Sequence, residues 1–173
     1  VRRSVANHLN DVAKDHPDLV AGWVQAHRSG ASAQRTALLR HASRSLIKQG
    51  HTPTLAAWGL QPGLMGSAHL ALSATQAAVG EGIDLAVTLT STARGPQDLV
   101  VDYAVHHVRA NGSTSPKVFK GWKLTLGAHE VRTLDKRHSL KPVTTRTLYP
   151  GLHRIELLVN GLALAEATFD LKP

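Results

Sequence analysis

The stretch Ile83-Asp-Leu-Ala-Val-Thr-Leu-Thr90 places an apolar side chain at every second position. Successive side chains of a β-strand point to opposite faces of the sheet, so this pattern predicts a strand with one buried and one solvated face. Outward from this stretch, similar signals predict seven strands, at about 68–75, 83–92, 98–110, 116–126, 130–135, 153–160 and 162–171. Short strands in this number indicate an immunoglobulin-like sandwich, with a small barrel as the alternative.

Two of the connections carry a strong hairpin signal. Asn111-Gly112 and Asn160-Gly161 each lie between predicted strands. Asn and Gly both tolerate a positive φ, which a type I′ turn requires at its two central residues. Both pairs are therefore predicted to close two-residue hairpins.

The first 60 residues show helical signals instead. Val5, Leu9 and Val12 recur at the spacing of a helix face. A second helix is predicted to begin at Pro17, and a third to run over 32–49 with Ser32 as its N-cap. Short helices joined by tight turns resemble helix-pair repeats, which need at least three units to bury their faces. This predicts that part of a solenoid precedes the first residue.

The fold class expected from these signals is α+β in separate domains, the C-terminal end of an α-helical HEAT-like repeat solenoid followed by an all-β immunoglobulin-like sandwich. The expected boundaries are 1–60 for the helical repeats, 61–67 for a linker and 68–173 for the sandwich.

Composition limits the classes of function. The 173 residues include 20 Lys and Arg against 12 Asp and Glu, a formal charge of +8, and the pI is about 10.3. Such a charge favours polyanionic partners. No apolar run approaches the roughly 18 residues of a membrane span. The absence of Cys excludes a disulfide scaffold and a cysteine nucleophile, and the 11 His show no ligand spacing with carboxylates. We therefore expect a cytoplasmic monomer with no metal and no cofactor.

The positive charge is concentrated in two places. Arg40, Arg44 and Lys48 are spaced four residues apart on the predicted third helix, with no acidic residue between them. Like charges at this spacing destabilise an isolated helix, so the row favours contact with phosphates over a merely solvated face. The window 117–146 carries eight basic against two acidic residues, and Phe119 and Trp122 lie among its lysines. Aromatic residues among lysines favour nucleic-acid binding, while a merely solvated lysine-rich loop region is the alternative. Such rings more often belong to a sandwich core, and we expect this at least for Phe119.

The first helix carries the one arrangement that suggests chemistry. Arg3, Asn7, Asn10 and Asp11 share its predicted polar face. Asn lowers helix propensity, so two of them on one face suggest positioned groups that meet a ligand. Hydrogen bonding to a neighbouring repeat, and pairing of Asp11 with Lys14 or Arg3, are the alternatives. No nucleophile elbow, phosphate loop or dinucleotide fingerprint is present.

Several blocks resemble bacterial DNA alkylation repair glycosylases. Residues 1–18 and 40–50 resemble the last HEAT-like repeats of that family. The C-terminal domain of its AlkC branch is similar to the other half of the chain, at Val101-Asp-Tyr, Lys117-Val-Phe-Lys120, Thr144-Thr-Arg146, Tyr149-Pro-Gly151 and Val159-Asn-Gly161. The resemblance covers essentially the whole chain.

The resemblance implies a glycosylase that hydrolyses the N-glycosidic bond of cationic alkylated bases, of the 3-methyladenine or 3-methylcytosine type, in double-stranded DNA during base excision repair. It implies that Asp11 is the carboxylate that faces the sugar. The DNA-facing residues that we assign are Arg3, Asn7, Asn10, Arg40, Arg44, Lys48, Lys117, Lys120, Lys136, Arg137 and Arg146. The other catalytic residues are expected upstream of the first residue, which predicts that this chain is inactive alone. A non-catalytic DNA-binding module, or a protein-interaction sandwich on a helical spacer, is the alternative.

Overall fold

The computed structural model describes residues 2–144 and 147–173. Five helices are followed by eight strands, whose bounds are α1 Arg2–Asp15, α2 Pro17–Arg28, α3 Ala33–Ala42, α4 Arg44–Lys48, α5 Thr52–Ala57, β1 Gly66–Leu72, β2 Gln76–Ala78, β3 Gly82–Ser91, β4 Gln97–Val108, β5 Thr114–Leu126, β6 Val131–Ser139, β7 Gly151–Val159 and β8 Leu162–Lys172. No helix in the described ranges is long and apolar enough to cross a membrane.

The chain divides into two compact units. One contains 1–63 together with 160–162, and the other contains 64–159 and 163–173. The turn at Asn160-Gly161 therefore belongs to the helical unit. Its Asn160 Nδ2 donates to the carbonyl of Gln61 at 2.7 Å. Both turn residues have positive φ, 45° and 79°, as predicted for a type I′ hairpin.

The predicted fold class is wrong. α4 and α5 have only 5 and 6 residues, too short to form a stacked repeat pair, and strand residues outnumber helical ones. Residues 160–162, at the turn between β7 and β8, also belong to the compact unit of the helices. The chain is therefore not the end of a helical solenoid followed by a separate sandwich.

The predicted third helix is interrupted at Ser43, which separates α3 from α4. The Ser43 hydroxyl donates to the Leu39 carbonyl at 2.9 Å, a bond to the preceding turn that bends or weakens helices. The predicted N-cap is confirmed, because Ser32 Oγ accepts from the backbone N–H of Arg35. The break divides the basic row, with Arg40 on α3 and Arg44 and Lys48 on α4.

The strand unit has two sheets that share one apolar core. The smaller sheet has the order β1-β3-β6, and the larger has β2-β8-β7-β4-β5. The alternating residues of β3, Ile83 to Leu89, are fully buried in this core, as their pattern predicted. β2, which was not predicted, pairs in parallel with β8. At the other predicted hairpin only Gly112 has positive φ, so Asn111-Gly112 does not form a type I′ turn.

A bulge interrupts the pairing of β4 with β5. Val101 lies opposite Trp122 and Asp102 lies opposite Lys120, so Gly121 is an extra residue without a partner. Its N–H donates to Asp102 Oδ1 at 3.1 Å. An unpaired residue held in this way increases the local twist of a sheet.

The bulge predicts a steric requirement for glycine. A Cβ on residue 121 would lie 2.4 Å from the carbonyl oxygen of Val101, whereas one on Gly95 would meet nothing within 4 Å. We expect Gly121→Ala to lower the free energy of unfolding by about 1–3 kcal/mol, the usual range for an overpacked site. Gly95→Ala is the matched control and is expected to leave it nearly unchanged. Urea unfolding of both variants tests this, and equal stabilities would contradict the steric argument.

Candidate nucleic-acid interface

The exposed surface of α1 meets α3 and α4 through Asn7. Asn7 Oδ1 accepts a hydrogen bond from His41 Nε2 at 2.7 Å and another from Arg44 Nη1 at 3.1 Å. The Arg44 and His41 side chains also contact each other. Two cationic or protonatable donors therefore converge on one amide oxygen. Of the predicted DNA-facing residues, this contact brings together Asn7 and Arg44, and it adds His41.

Asn10 has a different environment from its neighbours on α1. It is 4% exposed. Its Oδ1 accepts from Ser45 N–H at 3.2 Å and from Ser45 Oγ at 2.8 Å, which ties α1 to α4. Val5, by contrast, is 43% exposed. The buried face of α1 is therefore formed by Ala6, Asn10 and Ala13, and not by the predicted row that begins at Val5.

Asp11 forms an exposed ion pair with Lys14 on the same helix. Lys14 Nζ lies 2.9 Å from Asp11 Oδ1, and both side chains are about two-thirds exposed. The hydrogen bond from Lys14, followed by its charge, lowers the pKa of Asp11 below its ordinary value. The carboxylate therefore stays ionised at neutral pH. In that state it can stabilise a developing positive charge but is a weak proton acceptor.

The guanidinium of Arg40 lies over an aromatic ring. Its Cζ is 4.6 Å from the centre of the Trp58 ring, and Arg28 Cζ is 5.3 Å from the same ring. Trp58 is itself buried and donates from Nε1 to Ser43 Oγ at 2.9 Å. A cation over an indole face is stabilised by about 0.5–2 kcal/mol. Arg40 is thus held by Trp58, while Lys48 is half-buried on α4.

Sequence reasoning missed Arg28 and Trp58. They are 30 residues apart in the chain, and only the fold brings them together. No local spacing marks such a pair. The one available signal was Trp58 itself, a large aromatic residue at the end of a very short helix.

The second basic window is built from strands. Lys117 and Lys120 are exposed on β5, and Lys136 and Arg137 lie on β6. Lys117 Nζ lies 5.6 Å from the centre of the Phe119 ring, and Lys136 Nζ lies 5.6 Å from that of Trp122. Both aromatic rings pack against the sandwich core, the alternative that the sequence left open. Arg146 lies outside the described residues.

Arg137 differs from the lysines because it has a carboxylate partner. Arg137 Nη1 lies 2.8 Å from Asp84 Oδ2 on the neighbouring strand β3. Both side chains are more than half exposed, so this pair contributes little to stability.

Three histidines are buried together inside the sandwich. The ring of His107 lies 5.6 Å from that of His153 and 6.3 Å from that of His138. His138 Nδ1 and the Tyr103 hydroxyl are 3.1 Å apart, and burial raises the pKa of Tyr103. Within 2–144 and 147–173, no group of three or more His, Asp or Glu side chains could hold a metal ion.

The link between Asn10 and Ser45 makes a testable prediction. Asn10→Ala leaves the Ser45 N–H and hydroxyl without their acceptor, and a buried unsatisfied polar group costs about 1–3 kcal/mol. We expect this loss in the free energy of unfolding by urea denaturation. Asn7→Ala, which removes an exposed acceptor three residues away, is the matched control and is expected to cost less than half as much. A reversed order would show that Asn10 does not hold α1 on α4.

A protein-family model described as "Uncharacterised protein YhaZ, C-terminal Ig-like domain" matches residues 66–173. The uncharacterised protein YhaZ of Bacillus subtilis (strain 168) is 31% identical over 162 residues, which cover 93% of this chain and 44% of YhaZ.

Among solved structures, the alkylpurine DNA glycosylase AlkC of Pseudomonas fluorescens, bound to DNA containing an abasic site analog, matches 99% of this chain and 48% of its own with a TM-score of 0.90 and 40% identity. This match confirms the predicted resemblance to the AlkC branch. Because it covers the helices and the strands together, it also contradicts the prediction that the helices are the end of a solenoid followed by a separate sandwich. The chain spans about half the length of both relatives.

A more distant match shows the fold alone. The β-glucosidase EmGH1 of Erythrobacter marinus is 14% identical, with a TM-score of 0.52 over 62% of this chain and 15% of its own. A domain of this kind recurs on unrelated enzymes, and function cannot be transferred from the sandwich itself.

Proposed function

The chain belongs to the family of proteins with the YhaZ-type C-terminal Ig-like domain, and we propose that it serves in a DNA glycosylase that removes alkylated bases from double-stranded DNA. The observation that carries this proposal is the match to AlkC, at 40% identity over 99% of the chain. Its basic groups support the same conclusion, because Arg44 contacts Asn7 and His41 while Lys117 and Lys136 lie over aromatic rings. These contacts do not neutralise the positive charges, which can therefore attract phosphates.

The proposed substrates are cationic alkylated bases of the 3-methyladenine or 3-methylcytosine type. Alkylation gives such a base a positive charge, so it departs with the electron pair of the N-glycosidic bond and becomes neutral. The sugar is left as an oxocarbenium ion, water adds to its C1′, and the water proton is released. The enzyme therefore needs chiefly to stabilise positive charge on the sugar.

Asp11 is the residue of this chain proposed for that task. Its carboxylate is exposed and kept ionised by Lys14, which suits electrostatic stabilisation of an oxocarbenium ion. A lowered pKa keeps this charge present over the neutral range, and the charge is lost as the pH falls through the pKa of the folded protein. We place Arg44 and Lys48 at phosphates on the same helical unit.

The catalytic proposal is tested in a hybrid protein, in which this chain replaces the matching half of AlkC. We expect Asp11→Asn to reduce the release of methylated bases from duplex DNA about 100-fold, the usual scale for one preorganised electrostatic group. Asp15→Asn, on the same helix and also exposed, is the matched control and is expected to retain the rate of the unsubstituted hybrid. DNA affinity is measured in parallel. Undiminished excision by Asp11→Asn would refute the role of Asp11 and leave a non-catalytic DNA-binding module.

The DNA-binding proposal is tested with this chain and an unmodified duplex. The logarithm of Kd should change linearly with that of the salt concentration, and each phosphate contact adds about 0.9 to the slope. Arg44→Gln is expected to weaken binding and reduce the slope by about that amount. Lys172→Gln, which removes a lysine paired with Asp170, is the control and should leave the slope unchanged. Binding without salt dependence would favour the protein-interaction alternative.

A further inference from the structure

An open groove lies between α1 and α3 in the helical unit. It is lined by Arg2, Arg3 and Ala6 from α1 and by Gln34, Ala37, Leu38 and His41 from α3, and apolar atoms form most of its surface. The groove is open to solvent and has a volume of about 330 Å³. Arg2, Arg3, Gln34 and His41 border this space, which has room for one anion with its water.

The two charged groups that act on His41 are both cationic. Arg3 from α1 and Arg44 from α4 act on His41, and both disfavour its protonated form. Burial acts first in the same direction, so the pKa of His41 lies below its ordinary value. Asp11, the carboxylate of α1 on which Arg44 acts, is paired with Lys14. The groove thus has a surplus of positive charge that an anion would neutralise.

His41 Nε2 lies 2.7 Å from Asn7 Oδ1, an acceptor, and also contacts Arg44 Nη1, a donor. In the neutral ring, Nε2 can satisfy only one of these two neighbours. Protonation makes both ring nitrogens donors, so Nε2 then donates to Asn7 and Nδ1 becomes a second donor. An anion in the groove would stabilise this form by adding an opposite charge beside it.

We propose that this groove binds a phosphodiester of the DNA backbone and that His41 takes up a proton when the phosphate binds. The inference rests on the proposed function, because it names a phosphate subsite for the same DNA. It adds a property that the basic residues alone do not have, namely that affinity for DNA increases as the pH falls. Arg2 and Arg3 supply the permanent charge, and His41 supplies the charge that depends on pH.

The sign of the pH effect follows from linkage. An anion favours the charged imidazole, so the pKa of His41 is higher in the complex than in the free chain. Between the two pKa values, binding is coupled to uptake of one proton, and affinity improves with decreasing pH. If the pKa of His41 is higher by one in the complex than in the free chain, Kd changes up to tenfold across the pH range between the two values.

The first test measures Kd for an unmodified duplex between pH 8 and pH 5.5 at constant salt. We expect the unsubstituted chain to bind about tenfold more tightly at the lower pH and His41→Gln to lose most of this increase. His16→Gln, an exposed histidine between α1 and α2, is the matched control and should keep it. Thermal unfolding confirms that the variants are folded. If His41→Gln responds to pH as the unsubstituted chain does, the proposal is wrong.

A second test separates this proposal from the proposed function. Inorganic phosphate is titrated into the chain, and the pKa of His41 is followed by NMR of the imidazole nitrogens. We expect phosphate to raise this pKa, and Arg3→Gln to weaken the effect several-fold. No change with phosphate would overturn the groove as an anion site even if DNA binds elsewhere. Failure to bind duplex DNA would instead refute the proposed function, and the phosphate titration would still decide whether the groove binds an anion.

Discussion

Burial of the apolar face of β3 is the constraint on which the strand unit depends. Four side chains of this strand, between Ile83 and Leu89, have no exposed surface. Each contributes about 1.5–3 kcal/mol relative to an exposed position. β3 also lies between β1 and β6, so a one-residue slip would expose this face and disturb both neighbours. The positions of the basic residues on β6 follow from this register.

Aromatic rings hold several of the basic groups in place. Arg40 lies over Trp58, Lys117 over Phe119 and Lys136 over Trp122. A ring face orients a cation without neutralising it, unlike a carboxylate. The side chain loses some of its freedom in such a contact, while its positive charge is kept. Contacts with aromatic rings thus order cationic side chains without lowering the net charge of the chain.

Regular patterns in the sequence predicted the elements that are long and amphipathic. The alternation of β3 predicted that strand, and Ser32 predicted the start of α3. β2 was not predicted because three residues are too few for a period to show. The break at Ser43 was not predicted either, since it depends on one hydroxyl bonding to the preceding turn.

The candidate site was less predictable than the strands because its geometry depends on packing between helices. Bulky apolar residues were expected on the buried side of α1, but Ala6 and Ala13 allow close approach and Asn10 is buried with them. His41 joins the site through Asn7, which is 34 residues away. The charged residues on α1, α3 and α4 could be proposed from the sequence, while their partners are visible only in the structure.

The bulge at Gly121 also determines how the length of β5 can vary. With Gly121 left out of the count, Phe119, Trp122 and Leu124 follow one another at every second position and all pack against the core. The lysines between them then fall on the outer face. A relative that lacked this one residue would keep the same inner and outer faces, so a single-residue gap at this position would preserve the core. A one-residue insertion or deletion elsewhere in β5 would instead turn lysines toward the core and aromatic rings toward the outer face.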